Sequence, residues 1–182
     1  MGMAAPNFYT ADMVRALPDD GNRYETVHGE LLVTPAPRVI HQVVQARLQL
    51  ALANYLERQP VGLVLASPAD ISWAPDTLVQ PDLFVAQRDE LRGGVWRAVR
   101  TLLLAVEILS PSTARQDRFT KRRLYQDVGV PAAWFVDCDQ HHVEVWTPDA
   151  LFPVIEQKSL RWTPAGAGEG LDISLETLFA PI

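Results

Sequence analysis

The sequence predicts a mixed α/β fold, and three stretches carry that expectation. Residues 102–109, Leu-Leu-Leu-Ala-Val-Glu-Ile-Leu, are apolar except for Glu107 and too short for a helix, so they read as a strand buried on both faces. Residues 38–58 place Ile40, Val43, Val44, Leu48, Ala51, Leu52 and Tyr55 at helical spacing, with Gln42, Gln45, Arg47 and Gln49 filling much of the other face. Residues 131–137 make a second apolar strand just after another helical stretch. Strands buried on both faces need helices to cover them, which is the logic of an α/β sheet.

In chain order, residues 8–17 predict a short capped helix ending at Pro18, and Asp19-Asp20-Gly21-Asn22 a turn. Two strand-like runs at 23–27 and 30–34 are joined by His28-Gly29 as a tight hairpin, so Glu30 opens the second strand. After the long helix come strands at 61–66 and 69–73, a turn at 74–77, and a strand over 78–85 in which Pro81 suits an edge or bulge. A polar loop is expected over 87–100 before the buried strand. From Thr113 the pattern turns helical, with Asp117, Lys121, Leu124, Tyr125 and Val128 on one side, and Gly129 closes the helix. Residues 143–146 pair with 131–137, and the remainder reads as edge strands and a terminal helix over 175–179.

The chain of 182 residues is expected to form one domain, with its core at about 24–146. At 48% hydrophobic and 21% charged it has the composition of a globular protein rather than a disordered one. No apolar run approaches a membrane span, and residues 1–6 lack the features of a secretory leader, so a cytoplasmic protein without membrane association is expected. The single cysteine, Cys138, excludes an internal disulfide and reads as a core or strand-end residue rather than a nucleophile. A net charge of −6 argues against a protein that coats nucleic acid non-specifically, although the window 88–123 is locally basic.

Chemistry concentrates on three residues. Ionising Glu107 in a buried strand is costly unless a metal, a cation or hydrogen-bond donors meet it. Asp82 follows Pro81 on another strand, and Lys121 lies on the apolar side of the next helix, where it needs an anion. Two carboxylates on neighbouring strands can hold Mg2+ or Mn2+ through oxygen ligands, and a lysine beside them can stabilise charge developing on phosphorus. His41, at the helix start, is a second-tier candidate for phosphate contact or proton transfer. Asp70 lies near the site or simply at a surface, and Tyr125 reads as a wall of the site. His141 and His142 read as surface.

The string Gln80-Pro81-Asp82, then Glu107-Ile-Leu-Ser-Pro-Ser-Thr113, Asp117, Lys121 to Tyr125 and Gly129-Val-Pro-Ala-Ala-Trp-Phe-Val-Asp137 resembles the Uma2 family of restriction-endonuclease-like proteins. Tyr24-Glu-Thr-Val-His-Gly-Glu-Leu31 and the spacing of Pro37 and His41 fit the same pattern. The resemblance implies the PD-(D/E)xK nuclease fold, a restriction-endonuclease-like αβββαβ core with an N-terminal hairpin and C-terminal edge strands. By the same resemblance Asp82 and Glu107 are metal-binding acids, the Ile108 backbone carbonyl is a further ligand, and Glu30 is the early acid, binding metal directly or through water. Leu109 stands where the standard motif has lysine, and Lys121 is expected to supply that amine from the helix. The function so implied is Mg2+- or Mn2+-dependent endonucleolytic hydrolysis, with DNA as the expected partner. Two alternatives remain at this stage: a nuclease-fold module that binds nucleic acid or protein without effective chemistry, and, compatible with either, a homodimer through the strands near 143–146.

Overall fold

A computed structural model describes residues 8–111 and 114–182 of the chain. The N-terminal residues read for a leader and the position Thr113 lie outside them. Helix α1 (Ala11–Arg15) is capped by Thr10, whose side chain accepts the Met13 N–H at 3.2 Å. Strands β1 (Arg23–Val27) and β2 (Glu30–Thr34) form the expected hairpin. Both turn residues have positive φ, 50° at His28 and 82° at Gly29, the geometry that matches the twist of a two-residue hairpin. The Phe8 ring packs where a Cβ on Gly29 would stand, so glycine is required there for space as well as for φ.

Helix α2 (Val39–Arg58) buries His41, Val44, Leu48, Leu52, Tyr55 and Leu56 along one stripe. Four strands follow: β3 (Leu63–Ala66), β4 (Ile71–Ala74), β5 (Thr77–Val79) and β6 (Leu83–Ala86). The segment expected as a loop over 87–100 contains helix α3 (Arg88–Leu91) and a 3-10 turn (Trp96–Ala98). Its closure depends on Glu90, whose Oε2 accepts the N–H groups of Arg100 and Thr101 at 2.8 and 2.9 Å. Strand β7 (Leu102–Leu109) is the buried strand. Then come α4 (Ala114–Gln116), a π-helical turn (Asp117–Lys121) and α5 (Arg122–Asp127) in one continuous helical segment. At its end Gly129 has φ 75°, and the Val130 N–H returns to the Tyr125 carbonyl at 2.9 Å, a left-handed helix cap.

The chain continues through β8 (Ala133–Asp137), β9 (His142–Trp146), β10 (Val154–Glu156), β11 (Ser159–Trp162), β12 (Leu171–Ser174) and α6 (Leu175–Leu178). The main sheet runs β10-β9-β8-β7-β6-β3 and is antiparallel except for β7–β8. A parallel pair needs a crossover, and the helical segment 114–127 supplies it. A second sheet has the order β2-β1-β5-β4, and β11 pairs with β12 alone. The architecture is therefore a mixed α/β one around a mixed sheet.

The main sheet has two unlike faces. On one, Leu104, Val106 and Ile108 of β7 pack with Val44, Leu48 and Leu52 of α2 and with Leu160, Ile173 and Leu178 of the C-terminal segment. Cys138 is buried in this layer. On the other, Ala105 and Leu109 pack with Phe84, Phe135, Leu124 and Tyr125 and with Val27 and Leu32 of the hairpin. Glu107 shares that second face by strand alternation.

The run expected as one strand over 78–85 is two strands in two sheets. Pro81 has no N–H to give a ladder, and side chains hold the backbone instead. Glu25 Oε1 accepts the Gln80 N–H at 2.6 Å, and the Ser67 hydroxyl donates to the Pro81 carbonyl at 2.6 Å. The chain thus crosses from the small sheet to the large one at Gln80-Pro81-Asp82, and delivers Asp82 at the junction.

Candidate active site

Strand register brings the two acids together. Leu83 pairs with Val106, so the next rung, if it formed, would set Asp82 opposite Glu107. In β7 the Ala105 N–H bonds to Ala132 on the β8 side, so Leu104, Val106 and Ile108 direct their backbone groups toward β6. The residue facing Ile108 is then Pro81, which has no N–H to offer the Ile108 carbonyl. The Ile108 N–H is met by a side chain: it donates to Asp82 Oδ2 at 2.8 Å. A carboxylate thus stands where the ladder ends, beside a carbonyl that the ladder leaves without a donor.

Asp82 gathers three further partners from two elements. Arg23 Nη1 of β1 lies 2.8 Å from Oδ1, and His41 Nε2 of α2 lies 3.2 Å from Oδ2. Gln45 Nε2, one turn along α2, donates to the Asp82 carbonyl at 3.0 Å. His41 faces Asp82 because position 41 continues the stripe of Val44 and Leu48 toward the helix start. Burial works to raise the Asp82 carboxyl, but the His41 hydrogen bond and the Arg23 and Lys121 charges outweigh it and hold the group well below the usual carboxylate range.

Glu107 has a different environment. Its Oε2 lies 3.1 Å from Lys121 Nζ, and the Tyr125 hydroxyl donates to Oε1 at 2.5 Å. Lys121 also lies 2.8 Å from Glu25 Oε2 and 3.5 Å from Asp117 Oδ1. The π-helical turn aims both Asp117 and Lys121 inward, and each is buried. Burial pushes the Glu107 carboxyl up to about 8; Lys121 opposes the rise, while Asp117, Asp82 and Glu25 reinforce it. Burial also works against the Lys121 charge, but Glu107, Glu25 and Asp117 hold the ammonium well above its ordinary range. The lysine is therefore the firm charge of the cluster, and burial favours the protonated form of Glu107.

Four carboxylates (Glu25, Asp82, Glu107 and Asp117) face two cations, Arg23 and Lys121, a surplus of two negative charges when all are ionised. In a site this buried such a surplus is costly and calls for protons or a divalent cation. The cluster opens onto a cleft of about 900 Å3 through Asp82, His41, Ile108 and Asp117, with Arg15, Arg23 and Arg38 also on its walls. Glu25, Glu107, Lys121 and Tyr125 lie behind that surface.

A family model described as "Uma2: Putative restriction endonuclease" matches residues 11–176. The chain belongs to the Uma2 family. No curated protein sequence matches it. Among solved structures, the Uma2 chain is similar to "a putative nuclease belonging to DUF820" from Anabaena variabilis ATCC 29413, at a TM-score of 0.78 and 22% identity, covering 94% of this chain and 98% of that one. At that identity the likeness speaks for the fold. Family membership supports a nuclease-type function.

The residues singled out in the sequence fall into three groups. Asp82, Glu107, Lys121, His41, Tyr125 and the Ile108 backbone come together. Asp70 sits at the cleft wall, where its carboxylate is taken up by Arg15 Nε at 3.2 Å and Gln80 Nε2 at 3.0 Å. Glu30 stays apart: it pairs with Val27 at the turn end of the hairpin and is exposed, and its carboxylate makes no hydrogen bond or ion pair among the described residues. The early acid that reaches Lys121 is Glu25, with Arg23 beside it on the same face of β1. Neither stands out in the sequence, because Arg23-Tyr-Glu-Thr-Val27 shows no apolar face that would mark its odd positions as inward.

The basic window is largely spent on internal contacts. Lys121 is buried, Arg118 bridges Asp137 and Glu144 at 2.9 and 2.6 Å, and Arg92 and Arg97 pair with Asp89 and Asp12. No helix among the described residues is long and apolar enough to cross a membrane.

The fit of a divalent ion turns on donors and charge. Among the described residues no group of three His, Cys, Asp or Glu side chains is placed to hold a metal ion by itself. The donor chemistry nevertheless suits a hard cation: two neighbouring carboxylates, a backbone carbonyl without a ladder donor, and more carboxylates than cations in the cluster.

Proposed function

We propose that this protein is a divalent-metal-dependent nuclease that hydrolyses phosphodiester bonds of nucleic acid, DNA in the first instance. One observation carries the reading: a buried cluster of four carboxylates and two cations is built at the broken rung between β6 and β7 and opens onto a cleft. Asp82, Glu107 and the Ile108 carbonyl would hold Mg2+ or Mn2+, with Glu25 adding negative field from behind and Asp117 from the cleft wall. Bound there, the ion supplies Lewis-acid stabilisation of phosphoryl oxygens and a more acidic water.

The protein's own groups divide the remaining work. Lys121 is kept charged by three carboxylates and provides a fixed positive field behind Glu107, the role of the lysine missing at position 109. Tyr125 fixes the Glu107 carboxylate by its short hydrogen bond. His41 orients Asp82 from the floor of the cleft, and Gln45 holds the Asp82 backbone. The dry rear of the site keeps these charges effective, because low local dielectric strengthens them.

The test is a cleavage assay on linear, circular and single-stranded DNA with Mg2+, Mn2+ or EDTA, run beside calorimetric metal titration. Wild type is expected to bind one divalent ion and to cut only with metal. Asp82→Asn and Glu107→Gln are expected to lose at least about 100-fold in rate, the scale of removing one electrostatic contact to the transition state. Metal binding without cleavage of any nucleic acid would favour the alternative of a binding module on the same fold.

A further inference from the structure

Arg23 and Lys121 are the two cations of the cluster, and they are held very differently. Lys121 is 1% exposed and sits among three carboxylates. Arg23 has a side chain 23% exposed, lines the cleft, and reaches Asp82 through a single nitrogen, Nη1 at 2.8 Å. Strong guanidinium–carboxylate pairs are two-pronged; this one is not, and the buried Nε of Arg23 has no hydrogen-bond partner. Arg23 is also the first residue of β1, paired with Thr34 at the open end of the hairpin, so its side chain leaves the sheet at a rim rather than from a packed centre.

The position of its charge matters as much as its hold. Asp82 Oδ2 is already committed to the Ile108 N–H and to His41, which leaves Oδ1 as the oxygen open to an incoming cation, and Oδ1 is the one that Arg23 covers. A divalent ion bound by Asp82 must therefore contend with the guanidinium. Desolvated like charges do not share one carboxylate oxygen cheaply.

We infer that Arg23 is a displaceable counter-cation of Asp82, competing with the metal for Oδ1 and, once displaced, free in the cleft to bind the phosphates of the substrate. The inference rests on the metal site proposed above and adds to it a coupling: metal occupancy converts an internal ion pair into an exposed anion-binding group. Lys121 cannot serve this way, since three carboxylates hold it behind the cleft surface.

The experiment uses the full-length protein with Arg23→Gln and Arg23→Lys, checked for folding by circular dichroism. Mn2+ affinity is measured by calorimetry without nucleic acid, and oligonucleotide affinity with Ca2+ across a salt series. Arg23→Gln is expected to bind Mn2+ about tenfold more tightly than wild type, a change of about 1.4 kcal/mol. Its melting temperature is expected to fall in EDTA and to recover with Mn2+ by a larger shift than wild type shows. In the second arm it is expected to bind DNA more weakly, with a salt slope smaller by about one.

Arg23→Lys keeps a cation with a looser hold and is expected to lie between the two in Mn2+ affinity, so it decides the matter if Arg23→Gln does not fold. Unchanged or weaker Mn2+ binding in the folded variants, with wild type binding normally, overturns the competition. Unchanged DNA binding and salt slope overturn the release into the cleft. A wild type that binds no divalent ion removes the metal site itself and the inference with it, a result distinct from either.

Discussion

Asp82 and Glu107 come from adjacent strands, at 2% and 1% exposure, and yet their acidities are driven in opposite directions. Burial is the same for both, so burial does not explain the difference. Partners do. Asp82 has a guanidinium, an imidazole and a backbone N–H to itself, whereas Glu107 has one hydroxyl and shares a single ammonium with Glu25 and Asp117. The front of the site is charge-balanced and faces the cleft; the rear is anion-rich and dry. A site arranged this way keeps one acid ionised and leaves the other in need of a cation, which is the asymmetry a metal ion would resolve.

The largest expected effect comes from removing the cation that the rear acids share. Lys121→Met removes the ammonium that Glu25, Glu107 and Asp117 share, so we expect about 5 kcal/mol of lost stability in urea denaturation, the upper end for a broken buried ion pair. Divalent metal should restore part of it. Full stability in EDTA would mean that the three acids are already protonated and that the lysine does not set their state.

Neutral isosteres of the two acids should then part company. Asp82→Asn removes an ionised partner of Arg23 and is expected to cost about 3 kcal/mol at pH 7 in EDTA. Glu107→Gln keeps an acceptor for Lys121 and places its amide at the Tyr125 oxygen; because Glu107 already favours its protonated form, the expected cost is under about 1 kcal/mol. The pH profile sharpens the same contrast. A carboxyl raised from about 4.3 in the unfolded chain to about 8 in the folded one binds more protons in the native state, so metal-free stability falls as pH rises through that window. Asp82 has the reverse sign: its contribution is present above the ordinary carboxylate range and is lost only as pH drops below it. Glu107→Gln is expected to flatten the fall above pH 5, and saturating Mg2+ to do the same in wild type. An identical slope in the Gln variant would place the titrating group elsewhere.

How far the sequence shows this arrangement depends on contrast. Glu107 is visible because it is the one charge in an eight-residue apolar strand, and Lys121 because it falls on a helix side with Leu124 and Tyr125. The order of α2, β3, β6, β7, the crossover helix and β8 is legible for the same reason: each is long or apolar enough to show its period. The break at Gln80-Pro81-Asp82 is not, since the apolar residues on either side, Leu78-Val79 and Leu83-Phe84-Val85, read as the two ends of one strand, and the change of sheet shows only in the strand pairing and the Glu25 and Ser67 contacts. Helix α3 is hidden because Arg88-Asp-Glu-Leu91 buries nothing and has no apolar face to read. Inward charges on a strand whose alternation is polar on both sides are the hardest case, and Glu25 is one.

The smallest expected effect separates the two early glutamates. Glu30 stands exposed at the hairpin end without an ion pair among the described residues, so Glu30→Ala should shift stability by less than about 0.5 kcal/mol and leave metal affinity and cleavage unchanged. Glu25 differs by five residues in sequence and by its whole environment: one oxygen holds the Gln80 N–H at 2.6 Å, the other Lys121 at 2.8 Å. Glu25→Ala would therefore release the strand junction that presents Asp82 as well as one anchor of the lysine, and it should weaken metal binding without removing a metal ligand. Loss of metal binding in Glu30→Ala, with Glu25→Ala unaffected, would move the early acid of the site back to the hairpin turn and require β1 to present its other end to the cleft.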